Sequence, residues 1–217
     1  MISLFLDTTD GLTVGILTDD FQWLDHENIR QGRCANKIHP LINRMLDNQG
    51  ITIREVKGVF YLAGPGSYTG MRVGEGIAAI ARWQNISVHS FYHFEVPLIA
   101  LGVERGAWLG FAYKQEYFLY QWVGSNASSS LVTPEQLQGW LIENSDCPIY
   151  INSGDPRLID LLSNCAVEPQ LTQDIIHQQS QKLFTQVEKL ERECPLHYYR
   201  PLEQEFKLPP PVLGGER

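Results

Sequence analysis

The sequence has few cysteines, no run of basic residues and no long apolar stretch. Its four cysteines, Cys34, Cys147, Cys165 and Cys194, lie far apart without a Cys-x-x-Cys pair, so we expect reduced thiols, not a disulfide framework or a structural zinc site. No segment approaches the about 18 apolar residues that predict a transmembrane helix, and the start lacks the basic region of a signal peptide. These absences favour a cytoplasmic location without a membrane contact.

The charge balance argues against a protein that binds nucleic acid without a partner. The chain has 17 Lys and Arg residues against 25 Asp and Glu residues, a formal net charge of -8 at pH 7. Nucleic-acid backbones are polyanions, and counterion release from clustered Lys and Arg supplies much of the affinity of proteins that bind them. We therefore expect contact with nucleic acid only through a partner that supplies the positive surface.

The first hundred residues predict strands alternating with helices. Residues 2–6 and 12–17 are expected to form a hairpin, with 21–27 as a third strand. A helix follows, because its apolar residues recur at helical spacing: Ile38, Leu41, Ile42, Met45 and Leu46. Pro40 is expected in the first turn of that helix. Next come a strand over 56–63, a loop over 64–70, a helix ending near Trp83 and a strand over 86–89.

The composition changes near Gly102, which predicts a second, smaller lobe. Residues 108–113 and 117–123 are expected to pair as antiparallel strands, followed by a polar loop over 126–130. We expect helices over 134–143, with Thr133 as N-cap, over 155–162 and over 172–190, and a strand over 149–151. The fold class is therefore α/β with a mixed sheet, with lobes over 1–102 and 103–200. The Pro-rich tail, 201–217, is either disordered or an extended docking segment.

The segment from Gly64 to Gly74, GPGSYTGMRVG, is a glycine-rich turn from a strand into a helix. Such a turn can cradle an anion on free backbone N–H groups. It is not a P-loop, because no Lys-Ser/Thr pair follows Gly70. Asp7 and Asp10 could hold a cation–nucleotide complex, although turn carboxylates are common without that role. A remnant nucleotide or anion site and a purely structural turn both stay open. The candidate residues are Asp7, Thr8, Gly64, Gly66 and Ser67.

The helix after this loop carries few charges, which predicts that more than one side is covered. One side is expected to pack on the sheet, and a row of small residues would let another helix approach closely. That helix belongs either to this chain or to a second protein. The predicted patch for a partner or a second copy combines both helices: Ile38, Leu41, Ile42, Met45, Gly70, Met71, Gly74, Ala78 and Ala81.

Other catalytic signals are weak. His89 and His93 have a spacing that can seat a metal on a helix, but His89 ends a predicted strand and no acidic third ligand is evident. We therefore expect no metal, no cofactor and no catalytic residue. The sequence contains no Gly-x-Ser-x-Gly elbow and no Cys/His pairing in a hydrolase-like context.

The motifs together resemble the TsaB family of tRNA threonylcarbamoyladenosine biosynthesis proteins. The opening LFLDTTDGLTVGIL resembles the family's N-terminal hairpin, and GPGSYTGMRVG is nearly identical to the family signature GPGSFTGLRIG. Residues 34–42 resemble a family helix, with Cys34 where histidine is usual, and residues 195–200 resemble its closing motif. The resemblance covers roughly residues 2–200, strongly as far as Trp83. Residues 111–118 lack the Asp and Arg that the family often carries there.

The resemblance implies an actin-like ATPase (ASKHA) fold of two ribonuclease-H-like lobes. It also implies a non-catalytic subunit that binds the catalytic subunit TsaD, works with the ATPase TsaE, and self-associates through the helices that bind TsaD. Contact with tRNA would then run through the complex. Two rival functions are an ATP-binding enzyme of the sugar-kinase class, which would use Asp7 and the Gly64–Gly70 loop, and a peptidase.

Overall fold

The computed structural model describes residues 1–29, 34–112, 115–152, 155–163 and 165–200. The tail over 201–217 and the side chain of Cys34 lie outside the described residues, so the expectations for them stay predictions. None of the helices in these ranges is long and apolar enough to cross a membrane.

The first lobe is built on a five-stranded mixed sheet. Its strands are β1 (Ile2–Asp7), β2 (Leu12–Leu17), β3 (Trp23–Ile29), β4 (Val56–Leu62) and β5 (Ser87–Phe91), in the order β3-β2-β1-β4-β5. The first three strands are antiparallel, and β4 and β5 run parallel to β1. Two helices make the crossovers, α1 (Cys34–Asn48) and α2 (Tyr68–Trp83).

The second lobe repeats this topology. Its strands are β6 (Arg105–Ala112), β7 (Glu116–Val123), β8 (Asn126–Val132), β9 (Ile149–Ile151) and β10 (Gln170–Leu171), in the order β10-β9-β6-β7-β8. Helices α3 (Pro134–Glu143) and α4 (Pro156–Leu162) make its crossovers. Each lobe thus follows the order β-β-β-α-β-α-β, which confirms the prediction of an α/β fold with two mixed sheets.

Three local predictions are corrected. The expected polar loop over 126–130 is strand β8, which pairs along its whole length with β7; its Ser-rich sequence lacks the apolar alternation of a half-buried strand because most of it is exposed. Pro40 lies inside α1, not in its first turn. The single helix expected over 172–190 is two helices, α5 (Thr172–Gln178) and α6 (Ser180–Lys189).

The end of the described chain returns to the first lobe. Phe184 of α6 packs against Phe5 and Phe60 of the first sheet, with ring centroids 5.4 and 5.1 Å apart. Farther along, the His197 N–H donates to the Ala63 carbonyl at 2.8 Å. The two sheets are separated near residue 102, but residues after β10 are shared between the lobes, and the predicted boundaries stay a prediction.

Candidate functional site: the interlobe cleft and the outer face of α2

A buried polar cluster lies where β1 ends and the two lobes meet. Thr9 is its centre: the hydroxyl lies 2.6 Å from Asp7 Oδ1, 2.7 Å from His93 Nε2 and 3.3 Å from Asn152 Nδ2. Since a carboxylate only accepts, the Thr9 hydroxyl donates to Asp7 and accepts from both nitrogens. The Thr9 hydroxyl therefore has its full complement of hydrogen bonds, and it links β1, the turn at His93–Glu95 and the end of β9.

The carboxylate of Asp7 is committed to this cluster. Its Oδ1 also accepts from the Thr9 N–H at 2.9 Å, and its Oδ2 lies 3.6 Å from His93 Nε2. Burial raises the pKa of Asp7. The charge of His93 and the hydrogen bonds from His93 and Thr9 together lower it by more, so the pKa falls below its ordinary value. Asp7 is thus a buried, partnered anion and not a group held open for a ligand.

The hydroxyl, imidazole and carboxylate of this cluster do not form a hydrolytic triad. In such a triad the imidazole lies between the nucleophile and the carboxylate and takes the nucleophile's proton. Here Thr9 lies in the middle and its proton is directed to Asp7. Thr9 is also 1% exposed, so the arrangement joins the lobes and gives no support to a peptidase.

The glycine-rich loop is shaped by close contact with the turn after β1. A Cβ at Gly66 would lie 2.6 Å from the Thr9 carbonyl oxygen, one at Gly74 would lie 2.7 Å from Thr8 Oγ1, and one at Gly70 would collide with the Thr8 carbonyl oxygen. The Ser67 N–H already donates to the Thr9 carbonyl at 2.7 Å. The glycines therefore let α2 start directly against Thr8 and Thr9, and this contact accounts for the loop without a bound phosphate.

His89 and His93, the two histidines with metal-ligand spacing, contact different parts of the first lobe. His89 stacks on Phe60 with ring centroids 4.9 Å apart, whereas His93 contacts Thr9. Burial lowers the pKa of His89, although nearby glutamates partly oppose the shift. No group of three or more His, Cys, Asp or Glu in the described ranges is placed to hold a metal ion.

A cleft of about 450 Å³ opens beside the polar cluster, between the lobes. Thr9, Ser67 and Tyr68 line it from the first lobe, and Phe111, Asn152 and Arg157 from the second. The guanidinium of Arg157 lies 3.4 Å from the Phe111 ring centroid and is held by the Asp155 carboxylate at 2.9 and 2.6 Å. No sequence signal joined these residues, because Phe111, Asn152 and Arg157 are far from Thr9 in the chain.

The residues predicted as a partner patch face inward. All nine of the set are buried, and Ala78 is 0% exposed. Six of them lie in the apolar core of the first lobe, and Gly70 and Gly74 pack against Thr8. The predicted face of α2 is therefore corrected: its small residues allow contact with the chain's own turn and sheet. Of the two alternatives drawn from the sequence, packing within the chain accounts for this face.

The opposite face of α2 is exposed and apolar. Trp83 is 82% exposed and Ile80 is 51% exposed. Gly76 and Ala79 are exposed as well, and a Cβ at Gly76 would meet no atom within 4 Å. These four residues have the spacing i, i+3, i+4, i+7 and form one stripe along the helix. We call this stripe, Gly76, Ala79, Ile80 and Trp83, the outer face of α2.

Comparisons with known proteins agree with the motifs. A family model described as "TsaD: tRNA N6-adenosine threonylcarbamoyltransferase" matches residues 31–101. The tRNA threonylcarbamoyladenosine biosynthesis protein TsaB of Haemophilus influenzae is 37% identical over 76 residues, which cover 35% of this chain and 32% of that protein. The matched segment thus spans about a third of the relative's length.

Solved structures share the fold. A protein of Pseudomonas aeruginosa, described as similar to the peptidase YeaZ, has a TM-score of 0.60 at 17% identity, covering 90% of this chain and 98% of that one. The ethanolamine utilization protein EutJ of Carboxydothermus hydrogenoformans has a TM-score of 0.52 at 7% identity, covering 84% of this chain and 89% of that one. The fold is the two-lobed actin-like ATPase fold. The chain is thus similar to the TsaB and TsaD proteins over about a third of its length, and it shares its fold with the solved structures.

Proposed function

We propose that this chain is a non-catalytic subunit in the synthesis of threonylcarbamoyladenosine on tRNA, and that it works by binding a catalytic subunit of the TsaD type. The observation that carries the proposal is the outer face of α2. Trp83 and Ile80 expose apolar surface on a helix whose other side is fully packed. Exposed aromatic anchors next to small residues are typical of surfaces that bind another protein.

The stripe suits a helix as its partner. Gly76 and Ala79 leave space for a second backbone to approach, and Trp83 gives a large rigid side chain at the end of the contact. Charged residues lie beside it: Arg82 pairs with Glu193, and Arg72 pairs with Glu75 at 3.1 Å. An apolar centre with a polar rim is the usual composition of a specific interface.

The interlobe site supports the non-catalytic part of the proposal. An actin-like ATPase fold implies a magnesium–nucleotide complex, and the residues here do not fit one. The Asp7 carboxylate is buried in contact with Thr9 and His93, and the glycine-rich loop is closed against Thr8 and Thr9. The partner then carries out the chemistry on tRNA. It also supplies the positive surface for tRNA, because this chain has a net charge of -8.

Self-association belongs to the same proposal. A second copy would use the outer face of α2 as well, so dimer formation and binding of the catalytic subunit compete for one surface. A TsaE-like ATPase, which the family resemblance implies, would join the resulting complex, and we assign it no surface.

Co-purification tests the proposal. A tagged chain co-expressed with a TsaD-type subunit from the same organism should capture it, and Trp83→Asp should abolish capture while the monomer stays folded. The matched control is Ile142→Asp, because Ile142 of α3 is 78% exposed and lies on the second lobe. Equal capture by native chain and Trp83→Asp would refute this surface. ATP hydrolysis by the purified chain that disappears in Asp7→Ala would refute the non-catalytic role.

A further inference from the structure

The two sheets have four outer edges, and three of them are protected. Strand β10 is only two residues long, and β3 carries the charged side chains of Asp25 and Glu27 and a break in its register with β2. Along β5, the Ser90 N–H donates to the Arg192 carbonyl at 3.2 Å, so the segment after α6 covers that edge. Short strands, charges, bulges and covering segments are the usual means by which proteins keep an edge from pairing with another chain.

The fourth edge, β8, has none of these protections within the described part of the chain. Its seven residues, NASSSLV, include no charged residue and no proline, and all seven pair with β7 without a bulge. Most of the strand is exposed, and no strand of the described ranges pairs on its outer side. Since alternate N–H and C=O groups of an antiparallel strand point away from its neighbour, β8 presents a row of backbone donors and acceptors to a further strand.

The last described residue lies close to this edge. Arg200 is 7% exposed, and its guanidinium pairs with Glu116, the first residue of β7. The next residue of β7, Tyr117, is opposite Val132, the last residue of β8. A strand beyond β8 would lie two strand spacings from β7, roughly 10 Å, a distance that about three extended residues can span. Residues 201–203 are therefore long enough to bring the chain to the Val132 end of the edge.

The sequence that follows has the pattern of a strand. Within residues 202–208, LEQEFKL, every second residue from Glu203 onward is charged, and the residues between them include Phe206 and Leu208. Such alternation predicts a half-buried strand. Three prolines follow at 209–211. Because proline has no N–H to donate, pairing would end at Leu208.

We propose that residues 204–208 pair with β8 as an antiparallel sixth strand of the second sheet, so that the chain covers this edge itself. The direction is antiparallel because the segment arrives at the last residue of β8. A five-residue strand would pair weakly as a separate peptide, but a short tether holds it at an effective concentration of about 1 mM or more. A covered β8 cannot pair with the same edge of a second copy, and the proposal does not depend on the outer face of α2.

Amide hydrogen exchange on the ¹⁵N-labelled full chain, followed by nuclear magnetic resonance, tests this strand. The N–H groups of β8 that point away from β7, and amides within 204–208, should exchange at least roughly 30-fold more slowly than in an unfolded chain. A double variant, Glu205→Pro with Phe206→Pro, removes two adjacent donors, one of which would face β8. It should speed exchange of the outward amides of β8 roughly tenfold or more.

The matched control is Val212→Pro with Leu213→Pro, because these positions lie beyond the three prolines and outside the proposed strand. It should leave the exchange of β8 unchanged. The amides of β8 that face β7 should stay protected in all three chains, which shows that the second sheet is intact.

Three results would overturn the proposal. Outward amides of β8 that exchange as fast as in an unfolded chain would mean an uncovered edge, and fast exchange throughout 204–208 would mean that this segment does not pair. Protection of β8 that survives the double proline variant would assign the edge to another occupant, and if that protection falls on dilution, the occupant is a second copy. Capture of a TsaD-type subunit through Trp83 is measured separately, so neither result decides the other.

Discussion

Thr9 Oγ1 lies 2.7 Å from His93 Nε2, a contact between residues 84 positions apart that fixes the turn after β5 to the end of β1. Replacing Thr9 by Val keeps the shape of the side chain but leaves the His93 and Asn152 nitrogens without an acceptor. We expect Thr9→Val to lower the free energy of unfolding by about 2–5 kcal/mol. Thr9→Ser retains the hydroxyl and should cost about 1 kcal/mol. Urea unfolding compares the two, and equal losses would show that the hydroxyl network contributes little.

The glycines of α2 should differ sharply in their tolerance of alanine. At Gly70 an added Cβ meets the Thr8 carbonyl, whereas at Gly76 it meets open space. Gly70→Ala should therefore destabilise the chain by more than about 3 kcal/mol. Gly76→Ala should stabilise the monomer by about 0.5–1 kcal/mol, because alanine is the better helix former. Thermal melts decide it, and a Gly70→Ala chain as stable as Gly76→Ala would contradict the close contact.

Adjacent alanines report which side of α2 is packed. Ala78 is fully buried and Ala79 is exposed. Ala78→Arg forces a charge into the core and should unfold the chain, at a cost above about 4 kcal/mol. Ala79→Arg should change the monomer's unfolding free energy by no more than about 0.5 kcal/mol. Circular dichroism melts of the two variants test this, and a folded Ala78→Arg chain would contradict the inward orientation.

Stability should fall as the pH drops below neutrality. Burial lowers the pKa of His89, His177 and His197 in the folded chain, so the unfolded chain takes up protons first, below about pH 6.5. The stability these neutral histidines give is complete above that pH and is lost as the pH falls through their folded pKa values. The melting temperature should therefore be level from about pH 8 to 7 and decline towards about pH 5.

His89→Gln serves as the control for this effect, because it removes one of the three histidines whose pKa is lowered and should reduce the decline. A melting temperature that rises on acidification from neutral pH would contradict the depressed pKa values. The lowered pKa of Asp7 adds a further loss only below its ordinary range, near about pH 4, because its stabilising charge disappears there.

The sequence predicts much of the first lobe because its strands are short apolar runs ended by glycine and polar turns. Strand β1 and the last residue of α2, Trp83, match the expectation to within one residue. Strand β8 was missed because an exposed, Ser-rich strand has the composition of a loop. The repeated topology of the lobes could be predicted only from the family resemblance, because the two halves of the sequence show no internal repeat.

The sites were harder to predict because their residues meet only in three dimensions. The sequence shows the small residues Gly70, Gly74 and Ala78 at intervals of four. Small residues allow close approach by either a second helix or the chain's own backbone, and their spacing does not distinguish these two cases. The stripe ending at Trp83 has equally regular spacing, and the exposure of its side chains identifies it. Asn152 is 143 positions from its partner Thr9, a separation that leaves no local signal.

The affinity of this chain for a TsaD-type subunit, measured by calorimetry with the native chain and Trp83→Ala, tests the central claim most directly. Large aromatic side chains that become buried in an interface commonly contribute about 2 kcal/mol or more, so we expect the variant to bind at least roughly 30-fold more weakly. Ile142→Ala should bind like the native chain, and both variants should melt within a few degrees of it. Unchanged affinity in a folded Trp83→Ala chain would contradict the assignment of the outer face of α2 as the binding surface.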